Sequence, residues 1–207
     1  LTSEDINNTA YSLMTKGATK NIMVPAIKNV LKELKKLARR TKSLPMLSLT
    51  HGQPATTTTL GKELAVFISR IERELVLINE INLLAKFSGA TGSYAAHKAA
   101  FPKANWSVFA KKFIKRLGLE QSPITSQIEP GDSIAELLHS YVRINNIFSD
   151  FSLDMWLYIS RNIFVQKNVS GEVGSSTMPH KINPIFFENA EGNLDVANNN
   201  FSFLASR

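Results

Sequence analysis

The sequence has no cysteine, which excludes disulfides and thiolate chemistry alike. It has no run of about 18 apolar residues, so hydropathy gives no membrane-spanning helix. Alternating apolar and polar residues, the mark of half-buried strands, are nearly absent. Leu1 stands where a methionine would start a chain, and no charged, apolar, small-residue succession resembles a signal peptide. A cytoplasmic location is the default expectation. Acidic residues are the minority, 17 against 24 lysines and arginines, for a net charge of +7.

Most of that excess lies in one place: Lys28, Lys32, Lys35, Lys36, Arg39, Arg40 and Lys42. Most recur at three- and four-residue steps, opposite a stripe of Ile27, Val30, Leu31, Leu34 and Ala38. This is the pattern of the solvated face of an amphipathic helix. Attraction of a phosphorylated substrate or of a nucleic acid is a further reading of the same charge. No aromatic residues are interleaved with it to stack on bases, so no nucleic-acid partner is expected.

What is present is helical periodicity, with 43% hydrophobic and 20% charged residues in 207, enough for one globular domain. Thr2 or Ser3 can cap a first helix running through Asp5, Ile6 and Leu13 toward Gly17. The basic helix follows and ends before Ser43-Leu44-Pro45, since the residue ahead of a proline is pushed out of helical geometry. A polar loop over 50–54 leads into a long helix with Leu60, Leu64, Phe67, Ile71, Leu75 and Ile78, extending to about Lys86. After the small-residue break Gly89-Ala90-Thr91-Gly92-Ser93, a shorter helix from Trp106 to Leu117 stops at Gly118. Asp132 or Ser133 opens another long helix. Beyond a loop from about Gln166 to Lys181, Asn183 as cap and Pro184 at the first helical position open the last. The expected class is all-α, a bundle of long antiparallel helices. Apolar residues outside a narrow seam, such as Val66, Leu77 and Leu84, point to a core shared between subunits.

Chemistry is to be sought in the polar loops. They are TSEDIN at 2–7, THGQPAT at 50–56, TSQIEP at 125–130 and GEVGSSTMPHKINPIFFENAEGN at 171–193. In the last, Ser175, Ser176, Thr177, His180, Lys181 and Asn183 crowd donors and a cation into nine positions, a composition suited to holding an anion. It is equally suited to a flexible polar linker. SSTMPHKINP resembles the signature of the fumarase/aspartase superfamily. Its continuation, IFFENAEGNL, resembles the bacterial adenylosuccinate lyase branch. THGQPAT and TSEDIN resemble two other blocks of the same enzymes, in the expected order.

The resemblance implies the family's central helical domain over 1–207, with further regions before and after it. It implies an acid–base β-elimination that releases fumarate from succinylated purine nucleotides, with neither metal nor cofactor. Ser175 would be the base, and Lys181 would supply positive charge and hold the carboxylate on which charge accumulates. His51 would be the general acid, since an imidazole can arrive protonated and leave neutral near neutral pH. Thr2, Ser3, Gln127, Ser176, Asn183 and Asn189 would touch substrate, though capping and turn roles explain Thr2, Ser3, Gln127 and Asn183 as well. His97, His139 and His180 are left unassigned, with packing or loop roles expected more often than catalysis. The resemblance further implies a homotetramer with shared active sites, His51 and Ser175 of one site coming from different chains. Another lyase or cycloisomerase of the superfamily, or a non-catalytic helical scaffold that binds anions, remains open at this point.

Overall fold

The computed structural model describes residues 1–167, 178 and 181–207. Helix α1 (Ser3–Ala18) does not stop at Gly17 as the sequence suggests. It passes through a π-helical turn (Thr19–Met23) into α2 (Val24–Arg40), so one rod runs from residue 3 to 40. Pro25 sits directly after the π-helical turn, in the first residues of α2. The stripe on α2 behaves as read: Ile27, Leu31 and Leu34 are buried, whereas Val30 stays exposed.

The polar loop over 50–54 is instead the tip of a β-hairpin. Strands β1 (Pro45–Thr50) and β2 (Gln53–Thr59) pair antiparallel, with Thr50 opposite Gln53. The two residues between them, His51 and Gly52, both have positive φ, at 53° and 71°. A two-residue hairpin loop of the I′ type needs that at both positions, which is why a glycine follows the histidine.

Helix α3 (Leu60–Glu80) returns antiparallel to α2 and ends six residues short of Lys86, because residues Leu84–Ala85 (β3) pair in parallel with Glu120–Gln121 (β4). Leu84 is therefore half-buried on a strand and not on a helix surface. Short helices α4 (Ala95–Ala100) and α5 (Trp106–Arg116) cap this end of the molecule. Gly118 follows α5 with φ 76°, at the stop the sequence marks. Helix α6 (Asp132–Ser160) spans 29 residues, about 44 Å, and α7 (Ile185–Ala205) packs back along it. The pairs Trp156–Glu188, Asn145–Asn198 and Tyr141–Phe201 fix that antiparallel arrangement. Pro184, not Asn183, occupies the cap of α7, and no side chain caps it.

The main core joins α2, α3, α5 and α6 through Leu31, Leu34, Leu64, Ile71, Ile114, Leu137 and Ile144. Each such side chain contributes about 1.5–3 kcal/mol by burial. A second cluster joins hairpin and helices: Met46, Met155 and Tyr158 pack with Phe164 and Phe187. The described residues thus form antiparallel helices with two short strand pairs, and no described helix is long and apolar enough to cross a membrane. Helix α7 has no fully buried residue, and Phe186, Val196, Phe203 and Leu204 are exposed.

Candidate active site

One end of the rods is organised by a carboxylate and an amine that the sequence reading did not single out. Asp5, in the first turn of α1, and Lys86, just beyond β3, form an ion pair of 2.9 Å with both side chains fully buried. The second Asp5 oxygen accepts the Thr2 N–H at 3.0 Å, the reciprocal arm of a capping box. Oδ1 also accepts the N–H groups of Ser88 at 3.1 Å and Gly89 at 3.2 Å. The Lys86 ammonium donates onward to the Gly89 carbonyl at 2.8 Å. Burial by itself would raise the Asp5 carboxyl, but these donors and Lys86 outweigh it and hold it below its ordinary value. Asn8 completes the clamp, accepting the Lys86 N–H at 2.8 Å and donating to the Lys86 carbonyl at 3.3 Å.

The clamp brings three segments together. The small-residue loop over 88–93 is drawn onto the start of α1, and the segment over 125–127 closes over it. Gly92 has φ 72°, and a Cβ there would lie 1.8 Å from the Thr125 carbonyl oxygen, so no side chain fits. Ser88 and Thr125 join their hydroxyls at 3.1 Å. Gln127 Nε2 donates to the Thr2 hydroxyl at 3.0 Å. Two of the residues expected to bind substrate, 125 positions apart, therefore meet directly. Ser3, the first residue of α1, is exposed beside them. At a helix start the free N–H groups and the dipole favour an anion.

His97 lies beneath this loop, 9% exposed, with Trp106 and Phe87 rings 4.9 and 5.3 Å away. Neither ring nitrogen has a hydrogen-bond partner among the described residues. Burial lowers its basicity from the ordinary value of 6.5, with Lys86 adding to the effect and Asp5 opposing it. A histidine lowered in the folded state stabilises fully above 6.5 and loses that contribution as pH falls through its folded value. Stability measured by urea denaturation should therefore decline as pH drops below 6.5. In His97→Phe that part of the decline should vanish. An unchanged slope would mean that the ring is not held neutral.

The other expected residues lie at the opposite end. His51 is exposed on the hairpin tip, and Arg161, just past α6, donates to the Gly52 carbonyl at 2.7 Å. Gln166 Nε2 donates to the Ile182 carbonyl at 3.2 Å, bringing together the two stems of the segment that holds the signature. Lys181 is exposed, Asn183 is half-buried, and Asn189 lies exposed on α7. Ser175 and Ser176 fall outside the described residues.

His51 thus shares an end with the stems of the Ser175 segment. The 29 residues of α6, about 44 Å, separate His51 and Lys181 from Thr2 and Gln127.

The lyase family, compared with this sequence, matches residues 1–197. The chain belongs to this lyase family. Its sequence is 49% identical over 207 residues to the adenylosuccinate lyase of Vibrio cholerae, covering 100% of this chain and 45% of that protein. Against the adenylosuccinate lyase of Escherichia coli K12 the identity is 48% over 206 residues, with the same coverage. Against that of Dictyostelium discoideum it is 49% over 211 residues, again 100% of the chain and 45% of the relative. The chain therefore spans about half the length of the curated relatives it matches.

Proposed function

We propose that the protein is an adenylosuccinate lyase that releases fumarate from succinyl-AMP and from the succinylated imidazole carboxamide ribotide of purine synthesis. The observation that carries this is the identity of about half to adenylosuccinate lyases along the whole of the chain. The family's reaction needs a base at carbon, an acid at nitrogen and cationic or N–H donors for the carboxylates. In this reading Ser175 takes the proton from the carbon next to a carboxylate, and Lys181 holds that carboxylate as negative charge moves onto it. A contact that strengthens toward the transition state is the kind that accelerates the step. His51 gives its proton to the departing nitrogen. Thr2, Ser3 and Gln127 bind a carboxylate at the start of α1, and Ser176, Asn183 and Asn189 contact the substrate from the signature side.

The site is assembled in a homotetramer. Two observations support that. Thr2 and His51 stand at opposite ends of α6, too far apart to touch one succinyl group within a chain. The exposed apolar residues of α7, with Val66, Leu77, Leu153 and Trp156, offer the surface that helices of neighbouring chains would cover. In the full-length protein, succinyl-AMP should be converted to AMP and fumarate in equal amounts. Fumarate release from argininosuccinate but not from succinyl-AMP would assign the protein to a different reaction of the superfamily.

A further inference from the structure

A large cleft lies away from both ends, at the π-helical turn. It has a volume of about 1030 Å³ and is walled by the junction of α1 and α2, the end of α3, α5 and β4. That volume stands at the upper end of the roughly 300–1,000 Å³ typical of small-molecule sites. Lys16 and Thr2 are 14 positions apart on α1, about 21 Å, so the cleft is separate from the candidate active site.

Its chemistry is polarised. Five lysines (Lys16, Lys20, Lys28, Lys111 and Lys115) line it against one carboxylate, Glu120. Lys16 donates to the Gly118 carbonyl and joins α1 to the turn after α5. The other four make no ion pair among the described residues. The floor is aliphatic, formed by Val24, Pro25, Ile78, Ile81, Leu83 and Leu119. The π-turn is pinned from inside: Tyr141 donates to the Thr19 hydroxyl at 2.7 Å, which donates to the Thr15 carbonyl at 2.8 Å. Such turns insert a residue into a helix at a cost, and they recur at functional sites. Lys20, in the turn, and Lys28, just beyond it on α2, both line the cleft.

Four ammonium groups lining one cleft without an ion pair give it a positive potential that favours a polyanion. A monoanion neutralises too little of that charge, and an inorganic anion leaves the aliphatic floor wet. We infer that the cleft is a second, non-catalytic site for a nucleoside triphosphate, its phosphates among the lysines and its base on the aliphatic floor. A nucleic-acid strand fits less well. No aromatic residue lines the cleft for stacking, and on the adjoining face of α2 Lys35 is already paired with Glu72 at 2.5 Å.

Equilibrium dialysis of the full-length protein tests this with ATP, inorganic tripolyphosphate and a short single-stranded RNA as probes. ATP should bind saturably at one per chain, at least tenfold more tightly than tripolyphosphate, and more weakly as salt rises. The charge-reversed variant Lys20→Glu/Lys115→Glu should bind ATP at least tenfold less tightly. Excess AMP, the product of the proposed lyase reaction, should not displace the bound ATP, which separates this result from the lyase reading. Both lysines are exposed, and Lys28→Gln/Lys111→Gln is a milder second variant should the reversal fail to fold. The proposal is overturned by absent or unsaturable ATP binding, by equal affinity in a folded variant, by tripolyphosphate binding as tightly as ATP, or by RNA displacing ATP at equal concentration.

Discussion

Replacing His51 with asparagine in the full-length protein should lower kcat by roughly 10²–10⁴-fold, the usual worth of a positioned proton donor, with KM much less affected. Asparagine is the informative choice because His51 sits at φ 53° on the hairpin tip. Histidine, asparagine and aspartate are the non-glycine residues that tolerate this region best. His51→Ala would mix loss of the acid with strain in the turn. His51→Asn keeps the turn and removes the proton donor. An unchanged thermal melt together with collapsed kcat would assign the effect to chemistry. Near-normal kcat in a folded His51→Asn enzyme would remove His51 from the role of acid.

The largest effect on stability is expected at Lys86. Lys86→Met removes the ammonium but keeps most of the side chain's volume, leaving the Asp5 carboxylate buried and uncompensated. Breaking a buried pair in this way costs about 3–5 kcal/mol. That is a large part of the roughly 5–15 kcal/mol by which a domain is stable. Urea denaturation of Lys86→Met should show a loss of that size. The double variant Asp5→Asn/Lys86→Met should recover a good part of it, since no lone charge then remains inside. A loss below about 1 kcal/mol in the single variant would mean that water reaches the pair.

These two residues also show where sequence reading stops. Helices α5 and α6 were legible, because Gly118 and Asp132 are stop and start signals acting within one turn of chain. The stripe on α2 was legible for the same reason: burial repeats with the helical period. The hairpin was missed. Its turn is His-Gly and not the more telling Asn-Gly, although the threonine run over 56–59 was a strand signal open to reading. The π-turn has no local signature. Asp5 stands inside a recognised motif, three positions after Thr2, so the capping box could have been read from its spacing. Lys86 could not. It ends an apolar stretch like any surface lysine, and its partner lies 81 positions away. For the site, the motifs gave residue types and order, but only the structure puts Gln127 on Thr2 and parts both from His51 by the length of α6.

That separation leads to the most direct measurement. Two full-length variants, His51→Asn and the double variant Thr2→Val/Gln127→Leu, should each be nearly inactive toward succinyl-AMP. Mixed under conditions that exchange subunits, with hybrid assemblies verified by native mass spectrometry, they should regain a substantial fraction of wild-type fumarate release. Some sites in the hybrid then receive an intact His51 from one chain and an intact Thr2 and Gln127 from another. Hybrids that form and stay inactive would contradict an active site built from opposite ends of different chains.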